Sequence, residues 1–416
     1  MFQFTTWQGA WTLLVVVFAG GLLMAKLTEK PKIPDVVGYL VLGIALGPTL
    51  AHLITVPSHL QINQMLINLG ATLILFDGGM GIELSTLKTT ALTVVLLATI
   101  GVLISALVVG IAAHFLLALP WIYAFLLAAV IASTDPATLI PVFKRVRVYP
   151  RLQQTIEAES AFNDATAAVL VFTLLEIISS SDHPIAFYQP IVQFITEAGI
   201  GLLVGIAGGL IALVLVSKKA WGVFHEYGSL IMLVTAMATF LISTDIGGSG
   251  FMAAFAAGLI SGNSKSLGLP LQAHTQANIQ HFNHAITIIF RMLIFVLLGT
   301  QVDFNIIFHY LWPSLAVVLV LMFIARPFTV ASGVFPDRKV QWKRQEFLFM
   351  CWTRETGVIP AALASMLVVR GIAHVEVIRA VTFVAIIVTI LIQASTTEPL
   401  ARKLHILLPA EEEEEI

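Results

Sequence analysis

Apolar stretches of about 18–28 residues, the length that crosses a bilayer as a helix, recur from one end of the chain to the other. They constrain the fold more than any other feature. Only 11% of the residues are charged and 58% are hydrophobic, whereas soluble domains are about 25% charged. The pattern predicts an all-α, multi-pass membrane protein and excludes a soluble fold.

The apolar segments and their breaks predict thirteen transmembrane helices. We place them at approximately 10–28, 34–50, 60–81, 90–118, 120–143, 152–178, 188–216, 226–244, 248–263, 281–301, 305–334, 345–369 and 376–400. A single transmembrane domain, 1–404, is therefore expected, followed by an acidic tail at 405–416. No basic region precedes the first span, so no cleaved signal peptide is expected. The single cysteine, Cys351, excludes an intrachain disulfide.

Basic residues concentrate in alternate connections of this scheme. They follow odd-numbered spans, in "KLTEKPK" (26–32), "KRVRVYPR" (144–151), "KK" (218–219), "DRKVQWKR" (337–344) and "RK" (402–403). Connections after even-numbered spans carry almost none, with Arg370 as the exception. Because cytoplasmic loops are enriched in Lys and Arg, we expect an outside N-terminus and a cytoplasmic C-terminus in the cell (inner) membrane.

Two pairs of segments resemble each other at a distance of seven helices. "PDVVGYLVLGIALGP" (34–48) and "GSGFMAAFAAGLISGN" (248–263) are short and rich in small residues, while "ASTDPATLIP" (132–141) and "TRETGVIPAAL" (353–363) break apolar spans with polar groups and proline. An odd offset inverts orientation. It predicts two inverted six-helix repeats, 10–178 and 226–404, joined by helix 188–216, with interrupted helices 5 and 12 crossing. The alternative is chance similarity between small-residue packing helices.

Charged residues inside spans are candidates for function, because a charge at the bilayer centre costs at least about 2.5–3.5 kcal/mol. The candidates are Asp77, Asp135, Glu159, Asp164, Glu176, Arg291, Arg326 and Arg354, with Glu157, Glu197 and Glu355 placed less clearly within their spans.

The stretch "ESAFNDATAAVLVF" (159–172) heads the sixth span. On a helix, Ser160 and Asp164 share one face, and Glu159 and Asn163 share the next. A hydroxyl and a carboxylate are hard oxygen ligands for a small cation. Asp164 lies about 18 Å beyond Leu152, near mid-membrane. The alternative is that these residues only begin a helix at the membrane surface.

The stretch "STDPATLIP" (133–141) should interrupt the fifth span. Pro136 removes a backbone donor and disfavours helical geometry at Asp135. The opened helix would let Thr134 face an ion, and Asp135 could neutralise a positive half-helix end. A simple proline kink with a water-facing Asp135 is the alternative.

These motifs together resemble the sodium/proton antiporters of the NhaP and NHE group, the first monovalent cation:proton antiporter family. The resemblance is carried in order along the whole chain by "LILFDGGM" (73–80), "ASTDPATLIPVFKRV", "ESAFNDA", "FIARPF" (323–328), "GVIPAALA" (357–364) and "LIQASTTEPLARKL" (391–404). It implies a thirteen-helix fold of inverted repeats, a homodimer, and a mobile core domain that moves like an elevator against a dimer domain.

The resemblance also implies roles for individual residues. Asp164 resembles the carboxylate that binds the cation and exchanges the proton, and Asn163 resembles the amide that holds the broken helix. Ser160, Thr134 and Asp77 resemble further ligands of the monovalent cation.

Two basic positions complete the comparison with the family. Glu159 and Arg326 resemble its buried core ion pair. Family members often read G-x-R-G-A in helix 12, whereas this chain reads "TRETGVIP". Arg354 lies three residues before Gly357, so that arginine's role is not transferred to it.

Exchange of one proton for one cation at Asp164 predicts electroneutral 1:1 antiport of Na+, with K+ or Li+ as alternatives. No enzyme activity, resident cofactor or nucleic acid is expected. A cation channel without proton coupling is the other class, although no TVGYG-like filter is present. His274, His281 and His284 could bind metal or sense pH, but their spacing favours solvated loop residues.

Overall fold

The computed structural model describes residues 7–29, 34–48, 50–51, 53–54, 61–134, 143, 146–179, 189–218 and 222–407. Within these ranges the regular secondary structure is helical, as predicted for an all-α protein, apart from isolated β-bridges such as that between Val148 and Leu407. The longer helices are α1 (Trp7–Glu29), α2 (Asp35–Leu46), α3 (Gln61–Met80), α4 (Leu84–Leu117), α5 (Trp121–Ala132), α6 (Pro150–Ser179), α7 (Gln189–Val216), α8 (Gly228–Asp245), α9 (Gly250–Gly262), α10 (Ala273–Thr300), α11 (Phe304–Val334), α12 (Arg344–Trp352), α13 (Val358–Val369) and α14 (Val375–Lys403).

Within the described residues, eight helices are long and apolar enough to cross a membrane, and five shorter apolar helices accompany them. Two helices begin earlier than hydropathy predicts. Helix α4 starts at Leu84, and α10 starts at Ala273. The polar turns "LSTLKT" (84–89) and "AHTQANIQ" (273–280) hide these starts. The three histidines are therefore helical, and their placement in a connection was wrong.

Two of the predicted spans are broken. Helix α5 ends at Ala132, and the span predicted at 345–369 consists of α12 and α13, separated by residues 353–357. Pro360 lies in the first turn of α13, where its missing N–H leaves no intrahelical bond unmade. Asp135 and Pro136 lie outside the described residues, so the expectations for them remain predictions.

Three long helices contain a π-helical segment. These segments are Leu97–Gly101 in α4, Leu321–Ala325 in α11 and Thr389–Ala394 in α14. A π-helical turn rotates the residues that follow it and often marks a functional position. In α11 the next residue is Arg326, and in α14 the segment itself contains Thr389 and Gln393.

Small residues allow two helix pairs to approach closely. A Cβ atom on Gly43 would lie 2.1 Å from the Val296 carbonyl oxygen, and one on Gly258 would lie 2.1 Å from the Phe76 carbonyl oxygen. These glycines seat α2 on α10 and α9 on α3, as is common between membrane helices. Helix α6 is enclosed by α3, α4, α5, α7, α9 and α13, so the polar residues of its middle part, Glu159, Ser160, Asn163 and Asp164, lie in the protein interior.

Candidate cation site

Asp164 lies at the middle of α6 and is fully buried. The Ser133 hydroxyl donates a hydrogen bond to Asp164 Oδ1. Ser133 is the first residue beyond α5, so the break in that helix frees its side chain to reach across to α6. Sequence reasoning missed Ser133, although its position beside Thr134 in "STDP" was the available signal.

Thr134 joins the broken end of α5 to two further residues of α6. Its N–H donates to Asn163 Oδ1 at 3.2 Å, and Asn163 Nδ2 donates to Thr134 Oγ1 at 2.8 Å. Thr134 Oγ1 in turn donates to Ser160 Oγ at 2.8 Å. The structure thus brings Thr134, Ser160 and Asp164 together in one buried cluster, with the Asn163 amide holding the interrupted backbone.

Asp77 lies near the C-terminal end of α3. It is half-buried, and Oδ2 accepts a hydrogen bond from Thr287 Oγ1 at 3.3 Å. It lines a cavity of about 470 Å³ that is also lined by Gln153, Glu157, His281 and His284. Of the four predicted ligands, all of which the structure describes, Asp77 alone lines this cavity.

A second cavity of about 440 Å³ opens near the other end of α6. Residues of its lining include Asn68, Ala168, Phe172, Glu197 and Arg370. Along α6, the order is therefore first cavity, buried cluster, second cavity. Asp164 is about 10 Å along the helix from Glu157 and about 6 Å from Ala168. The cluster is enclosed between two cavities.

Glu159, on the neighbouring face of α6, forms a buried ion pair with Arg326. Both guanidinium Nη atoms donate to the carboxylate, with Nη2 to Oε2 at 3.0 Å. Arg326 also donates to the carbonyl oxygens of Met350 and Thr353, at 2.9 and 3.2 Å. The same side chain therefore pairs with α6 and satisfies carbonyls at the C-terminal end of α12.

Arg354 satisfies the corresponding end of α5. Its Nη2 donates to the carbonyl oxygens of Ile131 and Ala132, both at 2.8 Å. These are among the last carbonyls of the helix, which carry the negative end of its dipole. The resemblance assigned Arg354 no role, and a backbone acceptor has no sequence signature that would have revealed one.

Two side chains of the π-helical segment of α14 bind the backbone of the interrupted span formed by α12 and α13. Gln393 Nε2 donates to the Trp352 carbonyl oxygen at 2.7 Å, and the Thr356 N–H donates to Thr389 Oγ1 at 3.0 Å. Both ends of the 353–357 break are thus fixed by side chains of one neighbouring helix.

Three further intramembrane candidates, Arg291, Glu176 and Glu197, have other surroundings. Arg291 pairs with Asp35 at 3.3 Å, and the Tyr39 hydroxyl donates to the same carboxylate at 3.2 Å. Asp35 was missed because it begins a span. Glu176 is exposed at the end of α6, and Glu197 lines the second cavity. In the described ranges, no three His, Cys, Asp or Glu side chains form a group that could hold a metal ion.

The family model described as "Sodium/hydrogen exchanger, transmembrane" matches residues 13–403. The Na(+)/H(+) antiporter 1 of Methanocaldococcus jannaschii is 32% identical over 92% of this chain and 93% of its own length. The K(+)/H(+) antiporter NhaP of Alkalimonas amylolytica is 27% identical over 96% of this chain and 68% of its own length. The solved structure of the sodium proton antiporter MjNhaP1 from M. jannaschii superposes with a TM-score of 0.80 at 31% identity, covering 95% of this chain and 98% of that one.

These matches confirm the resemblance, and they place the chain among membrane transporters rather than enzymes. With the family model spanning nearly all of it, the chain belongs to the sodium/hydrogen exchanger family.

Proposed function

We propose that this protein exchanges a monovalent cation for H+ across the cell (inner) membrane, with Na+ as the first candidate cation. Asp164 binds the cation and the proton in turn. The observation that carries the proposal is the position of Asp164, buried between two cavities that approach it along α6 from opposite directions. Such a site can be opened to one side at a time. The names of the relatives, which are Na(+)/H(+) and K(+)/H(+) antiporters, support it.

The coupling follows from electrostatics. Asp164, Ser160 and Thr134, with Asp77 at the edge of the first cavity, would supply oxygen ligands to a dehydrated cation. Protons and cations compete for the Asp164 carboxylate. A core domain loaded with either one crosses the membrane without an uncompensated charge, whereas an empty core domain does not. One acid exchanging one proton for one cation gives electroneutral 1:1 exchange.

The finer architecture belongs to the same proposal. Thirteen spans arranged as two inverted repeats would place α4 opposite α11, and both contain a π-helical segment. In both interrupted spans, the fifth and the twelfth, an arginine side chain binds carbonyl oxygens at the helix end. We infer elevator-type movement of the core, a homodimer, an outside N-terminus, a cytoplasmic C-terminus and a dipole-neutralising role for Asp135.

K+/H+ exchange is the second candidate, because the K(+)/H(+) antiporter NhaP of A. amylolytica matches 96% of this chain. A cation channel fits less well, because the cluster is enclosed. An open pore would need a continuous water path along α6, whereas Ser160 and Asp164 are both fully buried.

The test uses purified protein in proteoliposomes, with Na+, K+ and Li+ gradients applied in turn and internal pH recorded. Asp164→Asn is nearly isosteric and cannot titrate, so it should abolish cation-driven pH change while folding normally. Asp245→Asn, the same substitution at an exposed position at the end of α8, is the matched control. Exchange that persists in Asp164→Asn would exclude this mechanism, and cation flux without proton movement in the wild type would favour the channel.

A further inference from the structure

Glu355 is a buried acid that the proposed mechanism does not yet use. It lies in the 353–357 break, is fully buried, and follows Arg354, which is 1% exposed. Two opposite charges therefore lie side by side in the chain at the centre of a membrane protein. An uncompensated charge at this depth costs about 2.5–3.5 kcal/mol, a factor of roughly 100 in population.

Arg354 needs a negative charge that its hydrogen bonds do not supply. Its carbonyl partners, Ile131 and Ala132, lie at a helix end that carries only about half a negative charge. Arg326, by contrast, has the full carboxylate of Glu159 as its partner. The carboxylates of Glu159 and Glu355 both act electrostatically on both guanidinium groups, so Glu355 supplies the second negative charge of a buried group of two arginines and two acids.

The charge of Glu355 matters for coupling. The proposed function, on which this inference rests, requires that the core domain carry a net charge when Asp164 binds neither a cation nor a proton. If the core crosses when loaded, its loaded state is close to neutral and its empty state is one charge more negative. Removing an acid makes both states one unit more positive. The empty core then becomes the neutral state, and the loaded core becomes the charged one.

We propose that Glu355 is a coupling residue: it cancels the charge of Arg354, so that the core domain is neutral only when Asp164 carries a cation or a proton. Arg354 positions the end of α5 beside Asp164, and Glu355 keeps that arginine from neutralising the empty site. No bond is made or broken by Glu355, which acts through its charge alone.

The test compares Glu355→Gln with the wild type in proteoliposomes under a cation gradient. A pH dye and a membrane-potential dye are read together. The wild type should give a pH change and no potential. In Glu355→Gln the empty core can return without a proton, so protons moved per cation should fall several-fold and a cation-driven potential should appear. Glu226→Gln, at an exposed position before α8, is the matched control.

Two further variants separate charge from shape. Glu355→Asp keeps the charge and should keep coupling. The double variant R354Q/E355Q restores the core's net charge and should recover the proton-to-cation ratio, even at a lower rate. If Glu355→Gln folds poorly, recovery of folded yield and melting temperature in the double variant carries the same comparison.

If Glu355→Gln moves as many protons per cation as the wild type does, the proposal is overturned. It is also overturned by a double variant that recovers neither the ratio nor the folded yield of the single one. The proposed function is judged separately by Asp164→Asn in the same vesicles. If that variant loses exchange while Glu355→Gln stays fully coupled, antiport at Asp164 stands and the role of Glu355 falls.

Discussion

Two helix ends, those of α5 and α12, terminate inside the protein, and an arginine caps each of them in a different way. Arg326 donates to the carbonyls of Met350 and Thr353 while both Nη atoms bind Glu159. Arg354 donates to the two last carbonyls of α5, and both Glu159 and its chain neighbour Glu355 act on it electrostatically. The first arginine joins α11 to α6 and to the end of α12, whereas the second joins the 353–357 break to the end of α5 alone.

The two arginines are also connected to Asp164 through different contacts. Arg354 binds Ala132, and the next residue, Ser133, donates to Asp164. Arg326 reaches Asp164 only through Glu159, five residues earlier on α6. We therefore expect the α12 cap to dominate stability and the α5 cap to dominate exchange, and the following predictions test that division.

The largest effect on stability should come from the Glu159–Arg326 pair. Removing one partner leaves a buried charge, which typically costs about 3–5 kcal/mol. Glu159→Ala and Arg326→Ala should each lower the melting temperature in detergent strongly, and the double variant should lose less than the sum. Strict additivity in this cycle would argue against an energetic pairing.

Arg354→Met should destabilise the protein less than Arg326→Ala. It loses two charge-assisted bonds, each worth about 1.5–3 kcal/mol, but the buried Glu355 carboxylate that it leaves behind still has Arg326 as a neighbouring positive charge. Because the end of α5 loses its anchor, maximal exchange per folded molecule should fall sharply. Arg338→Met, at an exposed position after α11, should change neither property. Equal losses of stability at both arginines would remove the distinction between the two caps.

The two hydrogen bonds from the π-helical segment of α14 should contribute less to stability than either arginine does. Thr389→Val and Gln393→Leu each remove one buried bond to the break, worth about 0.5–1.5 kcal/mol. The expected result is a modest drop in melting temperature for each variant and a roughly additive drop for both. A loss as large as that of Arg326→Ala would mean that α14, rather than Arg326, holds the end of α12.

Hydropathy predicted the long apolar helices, eight of which in the described residues are long enough to cross a membrane, because such helices carry their own signal in the sequence. It missed the first turns of α4 and α10 because those turns are polar and carry no apolar signal. Polar residues inside apolar spans were the sequence signal at both breaks, "ST" (133–134) after α5 and "TRETG" (353–357) after α12. What could not be read is partnership across the chain: Arg354 binds backbone atoms 222 and 223 residues away, and any residue can present a carbonyl.

The smallest effect on stability is expected at Ser160, which is neutral and shares a hydrogen bond with Thr134. Ser160→Ala should raise the apparent KM for the cation, with a smaller effect on maximal exchange, because proton exchange at Asp164 remains possible. The check is exchange rate against cation concentration in proteoliposomes. Unchanged affinity for every cation would make Ser160 a packing residue only.

The most direct test of the account is proton release when purified protein binds cation in weakly buffered detergent. If cation and proton share Asp164, binding should release up to one proton per protein. The apparent affinity should weaken as pH falls, and Asp164→Asn should neither bind with high affinity nor release a proton. Cation binding with no proton release at any pH, or release that persists in Asp164→Asn, would contradict the shared carboxylate at the centre of the mechanism.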